Sequence, residues 1–481
     1  AASAVAERRR EMWICASACQ PGIESIGIVT DGTQVVHGRR LCPLAGGIVQ
    51  PGTGLRLADN LANQSEGRGR HVNANGKDRL TEATTCPPRR TRFIDTMNVA
   101  MGLARKCGLA DQPVLEKETL CRRACEFTGL DDFGDRWFER PLEVLLDAIR
   151  SEARLNPAGE WSARAQIEKM LVDRLLAEQW FARHPEILAR PMPHPVIVVG
   201  PMRSGTTRMH RLLAADHRFS HLRNFETISP VPRPGFEPGG PDFRITLAVR
   251  ILRVARLANP RTLTIHPTGP MEPEEELGLL VHSFWSTKHD AQWWVPSYGR
   301  WCEKQDPTPA YEQMVRLLKL IGWSQQASSL RPWVLKTPQH MLDLPVLMKI
   351  FPDARLIFTH RDPLAVVGSA ASLAWNQTII YSDHANARAV GQEWLRKTRL
   401  QIDRMRAARD RIPAERRIDV QYEDMDRDWS GTMRRVYRFL GLDIEPALPA
   451  MEAYQKRTAA LKRRPHRYSL EAFGLRPGRV L

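Results

Sequence analysis

The chain has 481 residues, of which 42% are hydrophobic and 26% charged, a composition that suits one large globular domain or two ordinary ones. No apolar run approaches the roughly 20 residues that cross a bilayer, so we expect a cytoplasmic protein without a transmembrane segment. The net charge of +16 suits an anionic ligand, a nucleic acid or an anionic membrane surface, and it does not choose among them.

The first part of the chain, residues 1–95, is rich in Gly, Asn, Arg and Pro and keeps no helical or strand period. We expect a poorly structured arm, or a stretch that is not part of the natural folded protein. Neither Cys15 with Cys19 nor Cys121 with Cys125 has the spacing and histidine partners of a zinc site, so free thiols and no metal are predicted.

Residues 96–190 predict a helical segment, and residues 191–481 predict the core of the protein. The pattern over 163–184 has apolar residues at helical spacing, and Pro191 and Pro193 follow it. Four later apolar runs predict strands, and helical patterns separate them. The strands are predicted at 195–199, 333–335, 355–359 and 418–421, and the helices at 308–327, 385–410 and 430–440. This alternation predicts an α/β fold, a parallel β-sheet flanked by helices with an N-terminal helical extension.

A glycine loop (residues 200–207) follows the first predicted strand and opens the next helix. Backbone N–H groups at such a helix N-terminus bind phosphate-like anions. Gly200 and Gly205 have the spacing of the nucleoside-triphosphatase loop, but Thr206 stands where that loop has its lysine, and Arg203 supplies a basic residue instead. The loop is therefore predicted to bind an activated anion other than ATP.

Polar residues also follow three later strands, at the edge of the sheet where parallel sheets collect their ligands. Lys336 and His340 come after the second strand, and Tyr422 comes after the fourth. Arg361 comes after the third strand, with Ser369 about two helical turns further along. We expect this arginine and this hydroxyl to grip opposite sides of one phosphate.

Over residues 113–481 the chain resembles the sulfotransferases that use 3′-phosphoadenosine-5′-phosphosulfate (PAPS), in particular their bacterial branch. The glycine loop is similar to their 5′-phosphosulfate loop, residues 361–369 to their 3′-phosphate motif, and residues 422–425 to a segment whose tyrosine lies against adenine. The resemblance implies a P-loop-like sulfotransferase fold with PAPS as co-substrate and no metal. It implies that the donor is bound by Arg203, Ser204, Gly205, Thr206, Thr207, Arg361, Ser369 and Tyr422.

The resemblance also implies roles in catalysis. Arg203 is expected to assist the leaving phosphate, and Lys336 to hold the sulfuryl group in line with the acceptor. For the general base two candidates stay open. Glu226 follows the loop helix at a distance similar to the catalytic glutamate of protein-tyrosine and glycan sulfotransferases, whereas His340 is displaced by two residues from the cytosolic Lys-Thr-His pattern. The run Glu274-Glu275-Glu276 is expected to be a solvated face or a first helical turn, outside the site.

Two other functions compete with sulfuryl transfer. A P-loop kinase of small molecules would use ATP and magnesium, and the missing loop lysine argues against it. A noncatalytic basic module rests on net charge alone, and no nucleic-acid-binding motif supports it, so no nucleic-acid partner is expected. The acceptor, a hydroxyl or amine of a small molecule, lipid or glycan, stays open because acceptor pockets come from variable loops, and the oligomeric state is equally open.

Overall fold

The computed structural model describes residues 87–460 and 468–476. Predictions that concern residues 1–86, including Cys15, Cys19, Cys42 and Cys86, lie outside the described residues. The strands are β1 (Val196–Val199), β2 (Val334–Lys336), β3 (Arg355–His360) and β4 (Arg417–Gln421).

The described residues contain many helices around these strands. The α-helices are Arg92–Lys106, Lys117–Thr128, Glu139–Ala148, Pro157–Arg183, Glu186–Ala189, Thr206–Ala214, Asn224–Ile228, Phe243–Ala258, Pro260–Ile265, Leu277–Leu280, Thr287–Trp293, Pro296–Cys302, Thr308–Ser324, His340–Ile350, Pro363–Tyr381, Ala387–Arg409, Tyr422–Arg427, Trp429–Leu440 and Leu448–Ala460. Short 3-10 turns lie at Arg136–Phe138, Val281–Ser283, Ala414–Arg416 and Glu471–Phe473, and a π-turn lies at Ile149–Ala153. None of the helices in this part of the chain is long and apolar enough to cross a membrane.

The sheet has the strand order β2-β1-β3-β4, and every pair of neighbours is parallel. The predicted parallel sheet flanked by helices is therefore confirmed. Because the strands are parallel, their carboxyl ends meet at one edge, and β1 lies between β2 and β3. The glycine loop after β1 is thereby placed beside the residues that follow those two neighbours.

Side chains of β1 alternate between the two faces of the sheet, and both faces are covered. Ile197 and Val199 pack with apolar residues of the helices Thr308–Ser324 and His340–Ile350. Val196 and Val198 pack on the opposite face, with Thr206–Ala214 and Trp429–Leu440. All four side chains are buried, and burying each one stabilises the fold by about 1.5–3 kcal/mol. This burial on both faces explains why the sequence of the strand is an uninterrupted run of β-branched residues.

Two predictions on the N-terminal side need correction. The helix Arg92–Lys106 begins inside the stretch 1–95 that we expected to be poorly structured, so that expectation is wrong for residues 92–95. The long helix predicted over 163–184 already begins at Pro157, because Asn156 caps it by accepting a hydrogen bond from the Gly159 N–H at 2.8 Å. In the described residues the free cysteines are Cys107, Cys121, Cys125 and Cys302.

Candidate active site

A cavity of about 1160 Å³ opens beside the carboxyl ends of the strands, and the glycine loop forms part of its wall. Ligand pockets commonly measure about 300–1,000 Å³, so this cavity has room for more than one drug-sized ligand. Its polar end is formed by the loop, its helix Thr206–Ala214 and the residues that follow β3 and β4. Loop residues in its wall are Met202, Arg203, Gly205, Thr206 and Thr207.

Backbone geometry fixes the shape of the glycine loop. A Cβ at position 200 would lie 2.1 Å from the Thr359 hydroxyl oxygen, so glycine is required there. Gly205 has φ +89°, and even Arg203 has φ +71°, the left-handed region that favours glycine. The Ser204 hydroxyl is buried, 2.6 Å from the Thr359 hydroxyl and 2.7 Å from the Pro201 carbonyl oxygen that it bonds. The Ser204 side chain therefore holds the loop to β3 and lies outside the cavity wall. Only the Ser204 backbone remains a candidate for binding the sulfuryl donor.

Lys336 reaches the loop from the end of β2. Its side chain is 1% exposed, and its Nζ donates to Thr207 Oγ1 at 3.3 Å and forms an ion pair with Glu275. Its backbone N–H donates to both carboxylate oxygens of Glu276, at 2.8 and 3.0 Å. The structure thus brings the predicted lysine to the loop, where its charge is shared between a loop hydroxyl and a carboxylate at the cavity wall.

Arg361 and Tyr422 lie together beside the loop. The Arg361 guanidinium donates to the Arg203 carbonyl at 2.7 Å and lies 3.9 Å above the Tyr422 ring. That ring approaches within 3.2 Å of the point where a Cβ on Gly205 would stand. Both side chains line the cavity. The arginine predicted for the 3′-phosphate and the tyrosine predicted for adenine are therefore adjacent to one another and to the loop.

Ser369 lies apart from this group, inside the helix Pro363–Tyr381. It is 3% exposed, and its Oγ makes no hydrogen bond to any of the described residues. The C-terminal segment covers this part of the helix, since Tyr468 donates to the Ala365 carbonyl at 2.9 Å and its ring would meet a Cβ on Gly368. Burial raises the pKa of the Tyr468 phenol, and the charges of Arg361 and Arg203 partly oppose that rise.

Neither predicted general base lies in the cavity wall. Glu226 is fully buried and accepts hydrogen bonds from the backbone and side chain of Arg223. The side-chain amide of Gln325 donates to both of its carboxylate oxygens, at 3.0 Å each. His340 is also fully buried, 3.0 Å from the Tyr311 hydroxyl through Nδ1 and 3.4 Å from Glu276 through Nε2. Both side chains are committed to interior hydrogen bonds and ion pairs, so neither is placed to meet an acceptor in this cavity.

In the run of three glutamates, by contrast, Glu274 and Glu275 line the cavity, and Glu274 and Glu276 are buried, so the expected solvated face is wrong. Glu276 occupies the N-cap position of the helix Leu277–Leu280, close to the first helical turn that was the alternative expectation. Glu275 faces Lys336, and Glu276 holds the Lys336 backbone. Glu274 accepts from Thr268 Oγ1 at 3.0 Å and is 3.0 and 3.1 Å from His266 Nε2 through its two oxygens. Sequence reasoning gave no role to His266. The run Glu274-Glu275-Glu276 itself was the available signal for the two carboxylates.

The other end of the cavity is apolar. Four helices that are distant in sequence form it, namely Arg92–Lys106, Pro157–Arg183, Phe243–Ala258 and Pro363–Tyr381. Two lysines, Lys169 and Lys288, also line the cavity, and burial lowers the pKa of the Lys288 ammonium group. The apolar side chains in this part of the wall include Phe93, Ile94, Met97, Trp161, Met170, Ile251, Val254, Leu373 and Ile380.

A parallel sheet with a glycine loop at a helix N-terminus defines a P-loop-like class of proteins that bind phosphorylated ligands. The lysine-free form of the loop and the arginine after β3 separate this chain from the nucleoside triphosphatases. Residues 195–446 match the model of the sulfotransferase family. The chain belongs to that family, and it is a transferase enzyme.

Similar proteins carry the same assignment. The chain is 25% identical over 345 residues to the omega-hydroxy-beta-dihydromenaquinone-9 sulfotransferase Stf3 of Mycobacterium bovis, covering 70% of this chain and 80% of that one. The crystal structure of sulfotransferase STF1 from Mycobacterium tuberculosis has a TM-score of 0.67 at 32% identity, covering 77% and 98%. That of STF9 from Mycobacterium avium has a TM-score of 0.68 at 25% identity, covering 77% and 95%. These likenesses confirm the sulfotransferase fold and the transfer of a sulfuryl group, and nothing among them favours a kinase.

Proposed function

We propose that this sulfotransferase moves the sulfuryl group of PAPS to a hydroxyl, or an amine, of an apolar lipid-like acceptor. The observation that carries the proposal is a single cavity whose polar end is a lysine-free anion loop and whose other end is apolar. PAPS is the donor that sulfotransferases generally use. A cytoplasmic location stays a prediction.

The donor end of the proposal follows from the arrangement of positive charge. The first amides of the helix Thr206–Ala214 lack intrahelical acceptors and point toward the loop, so they suit the 5′-phosphosulfate. Arg203 lines the cavity and Lys336 donates to Thr207 of the loop, which supports their proposed role of stabilising the charge that develops on the leaving phosphate and the sulfuryl group. Arg361 suits the 3′-phosphate, and Tyr422 suits adenine. Ser369 stays a proposed contact of that phosphate, since its buried hydroxyl has no hydrogen-bond partner among the described residues.

The acceptor end follows from the apolar wall. Most of the side chains that these four helices place in the wall are apolar, with Ser162, Gln166, Lys169, Arg250 and Gln377 as polar exceptions. Hydrophobic contact with the apolar majority favours a long apolar chain. The relative from Mycobacterium bovis is named for a menaquinone derivative that carries a terminal hydroxyl, which is an acceptor of this chemical kind. A glycan acceptor would leave those of its hydroxyl groups that meet the apolar side chains unpaired.

The donor is tested by thermal shift of the full chain with adenosine 3′,5′-bisphosphate or with ATP plus magnesium. We expect strong stabilisation by the bisphosphate and little by ATP, since the loop lacks the lysine that reaches the β and γ phosphates. Loss of one charge-assisted phosphate contact in Arg361→Ala weakens bisphosphate binding by about 10- to 150-fold. Arg434→Ala is the control, because Arg434 is half-exposed and pairs with Glu445 away from the cavity.

The opposite ranking would refute the proposed donor. Equal or greater stabilisation by ATP with magnesium would favour the kinase, and transfer of radioactive phosphate would establish it. Unchanged bisphosphate affinity in Arg361→Ala would remove the assigned 3′-phosphate contact while leaving the family assignment intact.

A further inference from the structure

His266 occupies a fixed place between two anchors that come from the glycine loop and its helix. The Ile265 carbonyl before it accepts from Arg203 Nη1 at 3.0 Å, and the Pro267 carbonyl after it accepts from Arg211 Nη2 at 2.9 Å. His266 lines the cavity, and its side chain is 32% exposed. The imidazole is therefore held at the cavity wall by the same two elements that form the anion loop.

The partner of this imidazole is the carboxylate of Glu274, which is 9% exposed. Thr268, the Glu275 backbone N–H and the Asn224 amide also donate to it, at 3.0, 3.2 and 3.4 Å. Burial alone would raise the pKa of Glu274, but the charge and hydrogen bond of His266 hold that pKa well below its usual range. When the imidazole is neutral, an ionised carboxylate bonded to Nε2 favours the tautomer that keeps its proton on Nε2. Nδ1 is then the nitrogen with a lone pair for an incoming hydroxyl.

We propose that His266 is the general base of sulfuryl transfer and that Glu274 is its positioning residue. The proposal rests on the proposed function above. The acceptor oxygen bonds to sulfur as its proton passes to His266 Nδ1. The bond between sulfur and the 5′-phosphate oxygen breaks, and its electron pair leaves with adenosine 3′,5′-bisphosphate. A carboxylate that orients an imidazole and stabilises its protonated form is the arrangement by which histidine activates hydroxyl groups in other transferases and hydrolases.

The neighbouring charges favour this assignment over Glu275. Glu275 is ion-paired with Lys336, and a proton on that carboxylate would break the pair beside the loop. His266, Glu274 and Glu275 also form a group whose ligand atoms lie within 4.8 Å of one another, as a metal site requires. The Lys336 ammonium already pairs with one of these carboxylates and would repel a cation held by them. The groups around the imidazole are thus Glu274, Glu275, Lys336, Arg203 and Arg211.

The test compares two acceptors of different acidity in the full chain, with PAPS as donor. Decanol needs its proton removed during the reaction, whereas para-nitrophenol is already partly ionised at neutral pH. His266→Ala should lose about 100- to 10,000-fold in kcat with decanol and much less with para-nitrophenol. Added imidazole should restore part of the decanol activity. Affinity for adenosine 3′,5′-bisphosphate should stay within a few-fold, since the backbone carbonyls that bind Arg203 and Arg211 remain.

Two further variants separate catalysis from structure. His266→Asn keeps a donor for Glu274 and cannot take up a proton, so its loss should match that of His266→Ala. Glu274→Gln should lose less activity, and the acid limb of its kcat/KM profile should move to lower pH, because the carboxylate that favours the protonated imidazole is gone. His184→Ala is the matched control, a half-exposed histidine 3.0 Å from Glu186 and away from the cavity.

Several outcomes would overturn the proposal. One is decanol activity within threefold of the native chain in His266→Ala or His266→Asn. Another is equal losses with both acceptors together with lost bisphosphate binding, which would assign His266 to the donor site. A third is activity abolished by chelators and restored by a metal ion. If the native chain neither binds the bisphosphate nor uses PAPS, the proposed function itself fails.

Discussion

At the scale of single residues, Glu226 illustrates how a buried carboxylate serves structure. It is 0% exposed and completes a capping box with Arg223 at the start of the helix Asn224–Ile228. Gln325, directly after the helix Thr308–Ser324, donates from its side-chain amide to both oxygens of Glu226, at 3.0 Å each. All of its partners are hydrogen-bond donors, so both carboxylate oxygens must act as acceptors. Neither oxygen is left to take a proton from an acceptor hydroxyl.

Glu226→Gln is therefore expected to change stability and leave catalysis alone. A glutamine side chain has one acceptor atom, and its NH₂ would face the donors of Arg223 or Gln325. The unpaired donors should cost about 1–3 kcal/mol in the free energy of unfolding. Denaturant unfolding measures the loss, and kcat/KM below the unfolding temperature should remain near that of the native chain. A large fall in kcat with unchanged stability would return Glu226 to the role of base.

The carboxylates that the sequence analysis missed share one property with Glu226, which is low exposure beside a compensating donor or charge. A run of three glutamates ordinarily lies in solvent, because burying a carboxylate is costly without a compensating charge or donor. Here Lys336 and His266 supply that compensation, and the fold alone brings them together. The loop, Lys336, Arg361 and Tyr422 were predictable because each directly follows a strand whose period is local in the sequence.

At the scale of elements, the glycine loop has a backbone conformation with positive φ angles at Arg203 and Gly205. Gly205 caps the helix Thr206–Ala214 with φ +89°, and the Tyr422 ring packs where a side chain would stand. A second glycine, Gly441, caps the helix Trp429–Leu440 with φ +71°, and a Cβ there would meet nothing within 4 Å in the described part of the chain. The two positions differ in their surroundings and share a positive φ, which strains any residue that has a Cβ.

Alanine at each of these glycines separates strain from function. Both Gly205→Ala and Gly441→Ala should lose about 1–2 kcal/mol of stability, because a residue with a Cβ is strained at positive φ. Gly205→Ala should also displace Tyr422 and weaken binding of adenosine 3′,5′-bisphosphate by at least tenfold, measured by calorimetry. Gly441→Ala should bind it normally. Equal affinities in the two variants would contradict the role given to the loop geometry.

Element boundaries were predicted to within a few residues where apolar runs meet glycine or proline. The four strands begin and end within one residue of their predicted bounds, since each is buried on both faces or ends in a loop signal. The start of the helix Pro157–Arg183 was missed by six residues. Its first turn depends on the Asn156 cap and on the close approach of Gly159 to the Tyr381 backbone, and no periodic pattern marks such contacts.

At the scale of the whole molecule, the cavity joins parts of the chain that no local pattern connects. Helices that begin at Arg92, Pro157, Phe243 and Pro363 meet around its apolar end, whereas its polar end is set by the sheet. Sequence therefore predicted the donor end and left the acceptor open. Arg203, Arg208, Arg211 and Arg361 contribute to the net charge of +16 and line the polar end.

An apolar acceptor site predicts how rate depends on acceptor size. Straight-chain primary alcohols from butanol to hexadecanol share one reacting group, and each buried methylene contributes about 0.8 kcal/mol, so kcat/KM should rise about fourfold per methylene. The rise should stop at the length that fills the cavity. Initial rates of adenosine 3′,5′-bisphosphate release, measured below the solubility limit of each alcohol, provide the series.

A variant that narrows the cavity tests whether the cavity sets the alcohol length at which kcat/KM stops rising. Ala255 lines the apolar end, so Ala255→Phe should bring the plateau to a shorter chain while leaving rates for the shortest alcohols unchanged. Leu257→Phe, two residues further on the same helix and 59% exposed, should leave the whole series as it is. Rates that do not depend on chain length, or a preference for glycosides over alkanols, would exclude the lipid-like acceptor. Either result would leave the sulfotransferase assignment intact, because the donor roles proposed for the loop and Lys336 do not depend on which hydroxyl attacks.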